Sequence, residues 1–364
     1  MLAINMADVV NVLNTCKPYL IGFAVVLVLA VIAMIAVRGM KNAKRKLIRA
    51  EAGIAILLAF IVTVNMICWG PMSSLISLAT GNGTISEETS GEATDLCTEI
   101  AEEGIVLLKN EESTLPIAGG NLNVFGWAST NPCYGGTGSG SLSDAYETVS
   151  LLQGLEHAGF SLNKELSDFY TIYRADRPVV GMWEQDWTLP EPAADSYSAD
   201  LINNAKAFSD TAMVVITRVG GEGADLPTDV SQVTYHNNSE AYADFEPGEH
   251  FLQINKTERD MLDLVCANFD KVVVVYNGAN AMELGFVNEY EQIKSVLWCP
   301  GTGQSGFNGL GEILSGQVNP SGKTSDTFVL DLTTTPTANN FGNFIYDNME
   351  EFKVTQTGFT GKEE

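Results

Sequence analysis

The stretch from Tyr19 to Val37, YLIGFAVVLVLAVIAMIAV, carries no charge, and this restricts the chain more than any other feature. At about 1.5 Å per residue, a helix of that length nearly crosses a ~30 Å hydrocarbon core. A second apolar run of similar length, IAILLAFIVTVNMICWGPM, begins at Ile54. Between them lies RGMKNAKRKLIRAE, with six basic residues (Arg38, Lys41, Lys44, Arg45, Lys46 and Arg49) against Glu51. Lysine and arginine in a short loop resist translocation. The sequence therefore predicts a membrane hairpin with transmembrane helices at about 19–37 and 54–72, its loop cytoplasmic and both flanks outside. A buried core helix and a cleaved signal sequence are the competing readings; against the latter, only Lys17 supplies a basic flank before the first run.

Everything after the hairpin is acidic. Residues 1–51 hold seven lysines and arginines and two acids, so the rest of the 364-residue chain keeps 13 basic and 43 acidic side chains. Such a surface repels nucleic acid and anionic lipid, which excludes nucleic-acid binding. A hydrophobic fraction of 45% with 18% charged residues suits a globular outer region. Three histidines and six cysteines without a CxxC pair give no zinc signature, and no metal or cofactor is expected. Cys97, Cys133, Cys266 and Cys299 fall in the outer region, where either disulfides or buried thiols are compatible with their wide spacing.

The outer region divides into a polar spacer over 81–95, a globular part over 96–332 and a linker-like tail over 333–364. Leu96, Ile100, Ile105, Leu107 and Leu108 suggest a helical stripe followed by a turn. NLNVFGWAS (121–129), TAMVVIT (211–217), KVVVVYN (271–277) and IKSVLWC (293–299) read as strands, the last three as short apolar runs of the kind buried on both faces of a parallel sheet. Helices are predicted over 143–159, with Ser143 as N-cap and Gly159 just past the end, and over 257–269, capped by Thr257. The pattern is that of an α/β fold with an open, mostly parallel sheet and helices on both faces.

Long loops gather at one end of this sheet, beyond strand carboxyl ends, where ligands bind in such folds. VVITRVGGEGADLP (214–227) runs from a strand into glycines that flank Glu222, with Asp225 close behind. A general acid must be reachable by a leaving-group oxygen and have its pKa raised. Most loop carboxylates are merely solvated. NPCYGGTGSGSL (131–142) allows close backbone approach to a ligand and adds Ser139 and Ser141; a plain flexible turn is the other reading. CPGTGQSGFNGLGEILSG matches GxGxxG at Gly301, Gly303 and Gly306, with Asp326 twenty residues on, but Pro300 and Gly316 spoil the strand–turn–helix context. Trp183 and Trp187 suit either sugar faces or loop anchoring.

Taken in order, EEGIVLLKNEESTLPI, NVFGWAS, YGGTGSGSLS, VVITRVGGEGADLP and LWCPGTGQSGFNGLGEILSGQVNPSGKTSDTF resemble the C-terminal α/β sandwich domain of glycoside hydrolase family 3, the β-glucosidase family. The resemblance covers roughly residues 95–332. It implies that Glu222 is the general acid/base, that Asp225 supports it, that Ser139 lines the sugar site, and that the glycines after Pro300 are structural. Leu226 stands where the family often has arginine. The resemblance also implies a retaining mechanism, whose nucleophilic aspartate comes from a (β/α)₈ barrel. Residues 1–94 are too few for a barrel of about 250 residues. The expectation is thus the first part of a permuted, membrane-tethered exo-acting β-glucosidase-like enzyme, acting outside the cell on carbohydrate once its barrel is present. The alternative is a tethered, non-catalytic sugar-binding or scaffold domain.

Overall fold

A computed structural model describes residues 6–80, 85–137, 141–142, 146–173, 187–221, 226–234, 241–242 and 244–336. The chain divides into two compact units at Ser86/Glu87. In the first unit, α1 (Met6–Ala36) and α2 (Asn42–Trp69) are joined by the turn Val37–Gly39 and pack along each other, with Phe23 and Phe60 edge to face at 6.0 Å. A short α3 (Ser73–Thr80) follows. Segments Val12–Gly39 and Asn42–Trp69 are long and apolar enough to cross a membrane, and in each only 6% of an apolar 18-residue stretch is buried. Leu29 and Leu57 are about 60% exposed. Contact between the two helices leaves most of their apolar surface uncovered, unlike the core helix of a water-soluble domain.

The second unit opens with α4 (Glu87–Gly104) and the strand β1 (Val106–Asn110). The helix therefore occupies part of the expected polar spacer, and Leu107 and Leu108 belong to a strand instead of a helical stripe. Glu87 and Glu88 favour the helix N-terminus, and Gly104 followed by β-branched Ile105 and Val106 ends it. Leu96 and Ile100 point outward, 55% and 63% exposed, while Ala101 is buried.

The remaining strands are β2 (Gly120–Phe125), β3 (Phe160–Leu162), β4 (Thr211–Arg218), β5 (Lys271–Gly278) and β6 (Ile293–Cys299). They form a six-stranded sheet in the order β1-β6-β5-β4-β2-β3, parallel throughout except for β1 on β6. β4 is buried at every position, as its uninterrupted apolar run predicts. The expected strand over 121–129 is shorter: Gly126, at φ 96°, turns the chain into a 3₁₀ segment, Trp127–Ser129. A Cβ at Gly126 would fall 2.3 Å from the carbonyl oxygen of Val215, so the turn requires glycine.

The pleat divides the core in two. Ala212, Val214, Ile216, Val272, Val274 and Tyr276 face one side, covered by α6 (Lys164–Tyr173), α7 (Ala199–Phe208) and α8 (Lys256–Cys266). Met213, Val215, Val273, Val275 and Leu297 face the other, covered by α5 (Leu151–His157) and α9 (Phe307–Ser315). Two helix starts lie away from their predicted caps. Val149 is held by the carbonyl of Gln304 (2.7 Å), so α5 begins at Leu151 with Ser150 and Gln153 as a capping box; Ser143 lies outside the described residues. Asn255, paired with Glu258, caps α8, and Thr257 instead bonds Asp244. Gly159, at φ 96°, does follow the end of α5.

Candidate active site

The parallel strands β2, β4, β5 and β6 end at Phe125, Arg218, Gly278 and Cys299 along one edge of the sheet. From β2 the chain passes through α5 to β3 on one side. From β4 it passes through α8 to β5 on the other. Because α5 and α8 cover opposite faces, the chains diverge between β2 and β4. That divergence is a topological switch point, the usual place for a ligand crevice in an open α/β sheet.

A cavity of about 590 Å³ lies there, within the range of small-ligand sites. Gly220, Gly221 and Leu226 come from the loop after β4, and Cys133, Gly135 and Gly136 from the loop after β2. Ala279 and Asn280 follow β5, and Pro300 and Gly301 follow β6. Thr137 N–H donates to Gly220 O (3.1 Å), and Thr137 pairs with Gly221 in a parallel bridge. The two glycine-rich loops are thereby stitched together across the switch point. Close backbone approach explains the glycines, since a Cβ at Gly301 would meet Tyr134 O at 3.1 Å.

Asn277 fixes this arrangement from beneath. Its buried Oδ1 accepts from Cys133 N–H (2.6 Å), while Nδ2 donates to the carbonyls of Cys133 and Cys299 (each 3.1 Å). One amide thus ties the loop after β2 to the end of β6. Gly303, at φ 63°, adds a bond from its N–H to Tyr134 O at 2.7 Å.

The loop after β4 is rooted by Arg218, which is fully buried. Its Nη1 and Nη2 each donate to one oxygen of Glu258 at 2.7 Å. Nε donates to Phe251 O (2.6 Å), Nη1 to Thr217 O (2.8 Å) and Nη2 to Gln253 O. All five guanidinium N–H groups are used. The two ends of the 219–255 loop, β4 and the cap of α8, are held by this one side chain.

Beside the end of β2 lies a second buried acid, Glu191. Its Oε2 accepts from Trp127 N–H (2.8 Å), and its Oε1 is 2.5 Å from the Tyr197 hydroxyl, which in turn is 2.8 Å from that of Tyr170. Burial pushes its carboxyl up to about 8, outweighing these hydrogen bonds. Neither Glu191 nor the Arg218–Glu258 pair was legible as a local motif. The proline-flanked LPEP around Glu191 was the available signal.

The three predicted site residues, Glu222, Asp225 and Ser139, lie outside the described residues, as does Trp183. Gly221, the neighbour of Glu222 in the chain, lines the cavity. Glu249, in the same loop, closes a local turn by accepting from Glu246 N–H (2.8 Å). Trp187 is buried against Phe251, with ring centroids 5.0 Å apart, and so anchors a loop. A Cβ at Gly306 would meet Ala101 Cβ at 2.6 Å, and Asp326 is exposed. Gly306 of the GxGxxG match thus serves helix packing, while Gly301 lines the cavity. No disulfide joins the cysteines, and Cys133, Cys266 and Cys299 are buried.

An open α/β sandwich with a glycine-lined crevice at its switch point defines the class of domain. The chain belongs to glycosyl hydrolase family 3, whose C-terminal domain matches residues 105–360. It is 33% identical over 255 residues to Beta-glucosidase A of Butyrivibrio fibrisolvens, covering 68% of this chain and 30% of that protein. It is 30% identical over 249 residues to a Beta-glucosidase of Ruminococcus albus, covering 67% of this chain and 24% of the relative. Among solved structures, a beta-glucosidase from Paenibacillus barengoltzii superposes with a TM-score of 0.57 at 29% identity, over 68% of this chain and 25% of its own. Beta-glucosidase 3B from Thermotoga neapolitana, in complex with α-D-glucose, gives 0.55 at 25% identity, over 68% and 32%. The chain thus spans about a quarter to a third of the length of these relatives.

Proposed function

We propose that this chain is the acid/base-bearing part of a retaining, exo-acting β-glucosidase-like hydrolase, with Glu222 as the proton donor. The observation that carries this reading is the cavity at the switch point of a family 3 sandwich, lined by Gly221 next to Glu222. In the first step the Glu222 carboxyl gives its proton to the glycosidic oxygen as a nucleophilic carboxylate attacks C1. In the second, the Glu222 carboxylate takes a proton from the water that hydrolyses the glycosyl-enzyme. Two carboxyl groups about 5–5.5 Å apart are needed, and a (β/α)₈ barrel outside these 364 residues supplies the second. Asp225 supports the acid, and Ser139 lines the sugar site. The short coverage of the relatives keeps one other reading in view, a tethered sugar-binding domain without turnover.

The test is Glu222→Ala in the barrel-bearing enzyme. A general acid contributes typically ~10²–10⁴-fold, but an activated aryl leaving group needs little protonation. The variant should lose far more turnover on an alkyl glucoside than on a dinitrophenyl glucoside, and azide should restore the latter. Equal losses on both with no azide rescue, in folded protein, would remove Glu222 from the role. The 364 residues alone should release no aryl alcohol.

The exposed apolar helices α1 and α2 support a membrane hairpin that contacts lipid, with the basic loop cytoplasmic and the sandwich outside the cell. Cysteines placed singly at 41 and at 323 test this. An impermeant thiol reagent applied to intact cells should label position 323 and spare position 41. The reverse labelling would invert the topology.

A further inference from the structure

The wall of the cavity is unusual in its side chains. Its described residues are glycines, Leu226, Ala279, Pro300, Cys133 and Asn280. The Cys133 thiol is turned to Gly135 O at 3.3 Å. Asn280 is therefore the one carbonyl- or amide-bearing side chain among them.

Its backbone is held from behind. The buried Tyr276 hydroxyl donates to Asn280 O at 2.7 Å, two residues past the end of β5. Gly220 makes room for the amide in front, since a Cβ there would fall 3.3 Å from Asn280 Nδ2. Yet among the described residues the half-buried amide itself makes no hydrogen bond. A primary amide offers two donors and an acceptor, and no described protein group takes them up. Sugar hydroxyls both donate and accept. In small-ligand sites, a few fixed polar groups on an otherwise apolar wall set the orientation of the ligand.

We infer that the Asn280 side-chain amide hydrogen-bonds a hydroxyl of the bound glucoside and is a specificity-determining residue of the site. The inference rests on the glycosidase reading given above. Its location explains how it would be pre-organised: Asn277 and the Thr137–Gly220 bond fix the neighbouring loops, and Tyr276 fixes Asn280 itself.

The experiment pairs Asn280→Ala with a series of monodeoxy glucosides in the barrel-bearing enzyme, with Glu222→Ala assayed in parallel. Asn280→Ala should lower kcat/KM on the parent glucoside roughly tenfold, the size of one uncharged hydrogen bond. On the one deoxyglucoside that lacks the partner hydroxyl, the same substitution should cost almost nothing. The Tm should stay unchanged, because the amide has no partner among the described residues. An equal loss on every deoxyglucoside, or a loss matched by a fall in Tm, would overturn the proposal. Failure of Glu222→Ala to behave as an acid/base would instead overturn the function reading. For protein without turnover, titration of glucose followed by saturation-transfer NMR on the full chain decides the matter: the Kd should rise roughly tenfold in Asn280→Ala, and an unchanged Kd refutes it.

Discussion

Glu191→Gln should stabilise the folded sandwich at pH 7 and remove the Glu191 contribution to its pH dependence between pH 4.5 and 8. In the unfolded chain Glu191 ionises near the ordinary value of 4.5, whereas in the fold it keeps its proton up to about 8. Between those limits the folded state binds the extra proton, so stability falls as pH rises. At ~1.4 kcal/mol per unit the fall reaches about 3 kcal/mol by pH 7 and levels off near about 4 kcal/mol at pH 8, where the folded-state group itself titrates. Below pH 4.5 both states are protonated and the effect vanishes. Glutamine reproduces the neutral acid: its oxygen accepts from Trp127 N–H and its amide donates to Tyr197. The variant should therefore match the parent at pH 4.5 and exceed it at pH 7. At ~2–4 °C per kcal/mol for a domain of this size, the Tm gain is about 6–12 °C. Thermal unfolding followed across that pH range checks this. A variant that keeps the parent's pH slope would show that Glu191 is not the titrating group.

Arg218→Ala should be among the most damaging single changes outside the apolar core. It leaves the Glu258 carboxylate, 6% exposed, without its partner, and strips donors from the carbonyls of Thr217, Phe251 and Gln253. Breaking a buried pair in this way costs about 3–5 kcal/mol. The penalty belongs largely to the stranded charge. The double variant Arg218→Ala, Glu258→Gln should accordingly recover part of what Arg218→Ala loses. Urea unfolding of the singles and the double forms the cycle. Strictly additive losses would show that the two groups are not coupled.

These two positions mark where the sequence stops being legible. The strands over 211–217, 271–277 and 293–299 could be read because a sheet covered on both faces demands continuous apolar runs, and β4, β5 and β6 follow them almost residue for residue. Helix ends were harder. Whether Ser143 or Ser150 caps α5 depends on a tertiary bond from Val149 to Gln304, which local pattern does not contain. Nor does the sequence reveal that Asn277, a polar letter closing an apolar run, joins two loops, or that the Asn280 amide lines the cavity. The crevice was expected at the strand ends, and the cavity lies there. Its chemistry at Glu222, Asp225 and Ser139 rests on family membership and on the tests set out above.

The borders of the sheet carry a consequence of their own. At one side stands β1, five residues long, irregular between Leu107 and Lys109 and running against its neighbour. At the other stands β3, only three residues long. An incoming strand needs a straight, extended row of free amides and carbonyls to dock on, and neither border offers one. Many copies crowded on one surface would thus find no template for edge-to-edge aggregation, and each sheet would end with its own chain.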